Sequence, residues 1–382
     1  MNPGPSGPRW PQVIAAATVI LVLAGLLGVR IGDWARASGA AGPARPTAPT
    51  ATVPAPRTVG IEKLTVPCWA CPESQEWPLR FRTDLDLLAP LGTGPANAAV
   101  WFKDFARPNG SRWAEAKAAM ERRVKGPGGV GDVLPPEDPL LLEAEPWCDQ
   151  ATMRYYPDIY PMKGWETQIP NLMFQLTFAR SWLARGMAAS DPSNAMDDFR
   201  RVIRMGRLLR QEDVTVISDL VGLACIRIGT QGIYDLAIKR GDAQTALLAA
   251  VVVGEVAPQR LVGTQRLTKT DIQPYMKKDP SGDLALELPE ARLDDIVTVA
   301  TGGPDRRFRA EAILELGLIR ALGTPAQQGK AISVLNQLAS GSDRILAEAA
   351  VWSRDAKFTK EYLKDAPALT LLPPPAPASK PR

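Results

Sequence analysis

Four cysteines, 41 acidic residues and no histidine define the chemistry open to this 382-residue chain. Without imidazole there is no Ser–His or Cys–His nucleophile pair, no histidine-ligated metal and no Cys-x-x-Cys-His haem attachment. What remains is carboxylate, lysine or thiol chemistry. Cys68-Trp69-Ala70-Cys71 has the spacing of a redox pair, but Pro67 and Pro72 flank it, and such a pair needs a strand-then-helix setting. A zinc site would need two more ligands, and only the isolated Cys148 and Cys225 are on offer. No metal or cofactor is therefore expected. If the chain is exported, the expectation is a structural disulfide joining Cys68 to Cys71, or one of them to Cys148. Cys225, in an apolar run, reads as core.

The second candidate lies at 147–166, where Trp147, Tyr155, Tyr156, Tyr160 and Trp165 crowd around Asp149, Asp158 and Glu166. Aromatic faces stack sugar rings, and paired carboxylates hydrolyse glycosidic bonds. The competing reading is that the rings pack a long loop onto neighbouring helices. No spacing singles out two carboxylates, so no catalytic residue is assigned. Two glycine-rich runs fail as phosphate loops. The run at 126–131 fits G-x-G-x-x-G but follows a helical pattern and precedes prolines; the run at 323–330 has five residues between its glycines and Ala331 where a hydroxyl should hold magnesium. Both read as turns.

These residues must be positioned by the elements around them, beginning with residues 13–29, 17 uncharged residues between Arg9 and Arg30. Extended back to Trp10, the run reaches 20 residues, enough to cross ~30 Å of hydrocarbon at ~1.5 Å per residue. Trp10 and Trp34 flank it as interfacial anchors do. An uncleaved membrane anchor is expected at 10–29. The alternatives are a cleaved signal peptide, with small residues at 35–37 or 38–40, and a buried core helix. Counting arginines alone, the positive-inside rule keeps the following chain in the cytoplasm. The tether that comes next has the composition of an envelope linker, and on that ground the body is expected outside.

Of the 25 residues from 35 to 59, 20 are Ala, Pro, Thr, Gly or Ser, an extended linker with a reach of roughly 75 Å at ~3.1 Å per residue. Six prolines mark the tail from 366 to 382, which is expected to be disordered. The first 60 residues hold five Arg and one Asp, the whole formal net charge of +4. The body is therefore neutral overall, and its charge gives no argument for a nucleic-acid partner.

Residues 61–90 read as an irregular lead-in with a short strand at 61–66. Helical periodicity begins near Pro95 and continues from 111 to 125, and a Gly/Pro break follows at 126–136. From Glu166 the pattern is almost wholly helical, with breaks near 191–192, 241–242, 279–282, 302–304, 323–325 and 341. The run at 214–238 is apolar on nearly every side, yet it contains Asp219, Arg227 and Asp235. It reads as a central buried helix, or two broken at Gly229, with Gly222, Gly229 and Gly232 admitting close neighbours. Arg204, Arg207 and Arg210 read as a solvated face, the alternative being a face for an anionic ligand.

Residues 308–323 carry two separated apolar stripes. Phe308, Ala312, Leu316 and Ile319 form one; Ala310, Leu314, Gly317 and Ala321 form the other. A helix apolar on two faces is sandwiched between neighbours. Asp305-Arg306 with Ala310-Glu311-Ala312 returns as Asp343-Arg344 with Ala347-Glu348-Ala349, each copy preceded by a comparable helix at 293–301 or 331–339. This period and pattern resemble HEAT-type helical repeats, in particular the short bacterial class, over about 290–357. Residues 205–211 and 217–224 are similar to a helical core of membrane-anchored bacterial proteins.

The expected organisation is an all-α protein. It comprises an anchor at 1–34, a linker at 35–59, a loop-rich region at 60–165, a helical core at 166–288, HEAT-like repeats at 289–363 and a tail at 364–382. The anchor and linker together with the HEAT-like resemblance point to an envelope scaffold for a protein partner; the alternative is a cell-wall glycan-binding or hydrolytic module on 147–166.

Overall fold

The computed structural model describes residues 73–355, apart from 107–109, 157, 164–169, 271, 279, 281–283 and 304, and gives only the backbone of 73–80, 106, 257–270, 273, 278 and 284. The expected anchor, the linker, the strand at 61–66, Cys68, Cys71, Trp165, Glu166 and the tail lie outside the described residues. Among the described residues the fold consists of twelve α-helices, with six strands of two to four residues pairing into three two-stranded sheets. The body is all-α, as its periodicity predicts.

The N-terminal part is more regular than its sequence suggests. Where an irregular lead-in is expected, helix α1 (Glu73–Leu88) runs for 16 residues. Pro78 suggests a break, but Phe81, Leu85 and Leu88 recur at helical spacing and are all buried, and that burial holds the helix. Strand β1 (Gly94–Asn97) leads into α2 (Ala98–Ala106), and α3 (Trp113–Glu121) follows. Helix α3 stops at Glu121 rather than 125 because β2 (Val124–Lys125) pairs antiparallel with β3 (Asp132–Val133). Helix α4 (Pro139–Cys148) starts at Asp138, whose side chain accepts the Leu140 N–H, with Pro139 in the first turn. It takes Trp147 and Cys148 out of the expected loop. Strand β4 (Gln150–Thr152) then pairs parallel with β1.

From α5 (Met173–Ala188) the helices follow one another, each packed on the one before. They are α6 (Pro192–Leu209), α7 (Val216–Arg240), α8 (Ala243–Thr270), α9 (Glu290–Gly302), α10 (Arg306–Leu322), α11 (Pro325–Ala339) and α12 (Arg344–Asp355). Local chemistry sets their ends. Asp191 caps α6 by accepting the Ser193 N–H, with Pro192 behind it. Thr324 and Gln327 form a reciprocal capping box at α11. Gly241, at φ 72°, closes α7, and the Asp242 N–H reaches back to the Ala237 carbonyl. A short antiparallel hairpin, β5 (Met276–Lys278) with β6 (Leu284–Leu286), occupies the expected break near 279–282.

Helix α7 is continuous through Gly229 for 25 residues. It is long and apolar enough to cross a membrane, but 72% of its most apolar window is buried within the protein, so it is the core helix of the body. Its glycines admit α6 as expected. A Cβ on Gly222 would lie 2.6 Å from the Gly206 carbonyl oxygen, one on Gly229 2.8 Å from that of Phe199, and one on Gly232 2.7 Å from the Phe199 ring.

In α10 the first stripe, Phe308, Ala312, Leu316 and Ile319, is wholly buried. Of the second, Ala310 and Gly317 are buried while Leu314 and Ala321 are half-buried. Helix α10 lies against α8, α9, α11 and α12.

Candidate functional site

The aromatic stretch at 147–163 turns inward. Tyr155, Tyr156 and Tyr160 are buried to within 3% of full enclosure, with the Tyr155 and Tyr160 rings parallel at 5.9 Å. Gln175 on α5 donates to the Tyr155 hydroxyl at 2.5 Å. Trp147, partly buried, stacks on Trp101 at 6.0 Å. The carboxylates face elsewhere: Asp149 takes Arg204 at 2.6 Å, and the exposed Asp158 meets Asn97 at 3.4 Å. The three tyrosine rings therefore belong to the core, while Trp165 and Glu166 lie outside the described residues. Cys148 and Cys225 are buried free thiols, and burial pushes both above the ordinary thiol range. Cys68 and Cys71, the expected partners of Cys148, lie outside the described residues. Among the described residues no group of three or more acidic or cysteine side chains is placed to hold a metal ion.

What the structure does assemble is a polar junction that patterning does not reveal. The link between α6 and α7, residues 211–215, supplies Gln211 and Glu212. Gln211 accepts the Met153 N–H at 3.1 Å and donates to the Ala151 carbonyl at 2.8 Å. Glu212, 1% exposed, accepts the N–H groups of Tyr155 at 2.7 Å and Tyr156 at 3.3 Å through one oxygen. Its other oxygen is buried without a partner among the described residues. Two adjacent side chains thus clamp residues 151–156 by their backbone. The only local signal is three polar residues, Gln211-Glu212-Asp213, between the apolar end of α6 and the apolar start of α7.

Helix α10 enters the same junction. Asp219, near the start of α7, lies between Arg210 of α6 at 2.7 Å and Arg307 of α10 at 2.8 Å. Arg307 is held in turn by Asp305 at 2.7 Å. Burial pushes the Asp219 carboxyl up, but the two guanidiniums outweigh it and hold it below the usual carboxylate range. Arg306 bridges Asp213 and Asp343, the latter at 3.0 Å. Glu311, which the repeat pattern places on a charged face, is half-buried and accepts the Val216 N–H at the start of α7.

The arginines of α6 are a correction to the solvated-face reading. Arg207 is 6% exposed and donates to the Ala89 carbonyl at 2.6 Å and to Asp86. Arg204, Arg207 and Arg210 each reach a carboxylate on a different segment. The face they form is an internal seam between α6 and the N-terminal part.

This junction sets a pH dependence. Burial raises Glu212 and Glu311 from 4.5 to about 7, against the opposing effect of the backbone N–H groups they accept. Both keep their protons in the folded chain through a range where the unfolded chain has lost them. Stability should therefore fall as pH rises from about 4.5 to about 7, by roughly 3 kcal/mol for Glu212 alone. Asp219 and Asp343, held low by arginines, act in the opposite sense only below their ordinary range. Thermal melts of the purified protein should peak near pH 5, and Glu212→Gln should flatten the decline towards pH 8. A melt that rises steadily from pH 5 to 8 would contradict this.

Comparison with protein-family models, characterised proteins and solved structures finds no match to the chain.

Proposed function

We propose that this chain is a membrane-anchored envelope protein whose helical body, ending in HEAT-like repeats, acts as a scaffold for a protein partner. In this reading residues 10–29 hold the chain in the membrane, residues 35–59 carry the body away from it, and the stacked helices present the docking surface. The observation that supports it is that the recurring aspartate caps its helix in both copies. Asp305 caps α10 by accepting the Arg307 N–H, and Asp343, in the matching position, accepts the Leu346 N–H at the start of α12. Arg306 of the first copy then bonds Asp343 of the second, which joins the two copies, while Arg344 pairs with Glu348 on its own helix. Units joined in this way stack in one direction and present elongated surfaces suited to proteins.

Sidedness is tested by fusing a reporter after Pro381. A reporter active only outside the cytoplasm should work, while one active only in the cytoplasm should stay silent. The reverse result would overturn the envelope reading. Scaffolding is tested with photo-crosslinkers at the exposed Ile332 and Val351 of the array in intact membranes. A discrete crosslinked protein species is expected, and its absence at both positions would overturn the scaffold reading.

A further inference from the structure

Half-buried arginines in this fold generally have partners. Arg185 on α5 meets Asp198 at 2.6 Å and Glu145 at 2.5 Å, and Arg210 and Arg307 share Asp219. Arg180, on the same helix as Arg185, differs. Among the described residues no carboxylate or carbonyl bonds it, and its Nε is enclosed without an acceptor. Its Nη1 approaches the β2–β3 turn closely enough that a Cβ on Gly131 would lie 3.9 Å away. The nearest acid, Asp132, is engaged by Lys125 at 2.6 Å. Arg123 acts on both Asp132 and Arg180, so three cations share this corner with one carboxylate.

The turn itself has an unusual backbone. Gly128, Gly129 and Gly131 adopt φ of 57°, 77° and 97°, and Val130 between them is right-handed at φ −58° and ψ −21°. Alternating handedness of this kind turns successive N–H groups towards one side, the geometry of anion-binding backbone nests. The turn closes through the Gly126 N–H to the Gly131 carbonyl at 2.7 Å and the Val130 N–H to the Pro127 carbonyl at 3.1 Å. Residues 127–129 form a single turn of 3-10 helix, and among the described residues the Gly131 N–H takes no backbone acceptor. Space is open above Gly129, where an added Cβ would meet nothing within 4 Å.

We propose that Arg180 and the 126–131 turn form an oxyanion site, which takes a phosphate or carboxylate group between the guanidinium and the Gly131 N–H. A guanidinium offers a planar fork that matches both groups, and the ligand would supply the counter-charge that Arg180 lacks. The turn's G-x-G-x-x-G spacing belongs to a β-hairpin, so this is not a dinucleotide fold. The site depends on α5 bringing Arg180 to the turn from 49 positions further along the chain than Gly131. It stands independently of the envelope reading.

Calorimetric titration of the full-length protein with inorganic phosphate, and separately with acetate, tests it at an ionic strength held constant with chloride. Saturable binding of at least one is expected, and the arm that binds identifies the ligand class. Arg180→Gln should weaken that binding at least tenfold, Arg180→Lys less, and Arg344→Gln, whose side chain is 83% exposed on α12, not at all. Should Arg180→Gln fail to fold, Arg180→Lys against Arg344→Gln makes the same comparison. Absence of saturable binding in both arms, or binding unchanged in the Arg180 variants, would overturn the site.

Discussion

Asp219→Ala should destabilise the protein by about 3–5 kcal/mol, the cost of breaking a buried charge pair by removing one partner. Asp219 is 7% exposed and neutralises guanidiniums from two helices, Arg210 and Arg307. Its loss leaves two enclosed cations at the point where α6, α7 and α10 meet. Asp305 still holds Arg307, but Arg210 keeps no carboxylate among the described residues. The comparison is Asp294→Ala, which removes the ion pair with Lys330; both side chains there are more than a third exposed, and such pairs contribute about 0–1 kcal/mol. Chemical denaturation of the three proteins at neutral pH gives the difference. Equal losses for the two variants would mean that the three-helix junction does not carry the stability assigned to it.

The second large effect is steric. A Cβ at Gly206 would stand 2.5 Å from the Gly222 carbonyl oxygen and 2.9 Å from the Ile226 nitrogen. Both are backbone atoms of α7, so no rotamer change relieves the clash and the two central helices must separate. Overpacking typically costs about 1–3 kcal/mol, and Gly206→Ala belongs at the top of that range. Gly206→Val should not fold at 37 °C. Gly329, inside α11, behaves oppositely, because a Cβ there would meet nothing within 4 Å. Gly329→Ala should stabilise by about 0.5–1 kcal/mol, since alanine loses less backbone freedom in a helix. Melting temperatures that moved in the same direction for both alanine variants would refute the close α6–α7 approach.

Much of the body is legible in the sequence because its signals are local. Asp191-Pro192, Gly241 and Thr324-Pro325 with Gln327 start or stop helices through hydrogen bonds that reach only a few residues, so their chemistry survives without a fold around it. The 214–238 run declares itself as a core helix for a related reason. It is apolar on nearly every side, which leaves no broad face for water, and its glycines are needed only where another backbone comes close.

What the tertiary structure alone decided is the fate of the polar and aromatic groups. Three arginines along α6 have the same spacing whether they face water or carboxylates, and the partner of Arg207, Asp86, lies 121 residues earlier. Glu311 looks like a surface residue until the start of α7 offers it the Val216 N–H. Tyr155, Tyr156 and Tyr160 would suit a sugar platform or a core equally well, and Glu212, which holds their backbone inward, lies more than 50 residues away. Apolar periodicity records which side of a helix avoids water. It carries no record of which charges meet, because that depends on where distant segments come to rest.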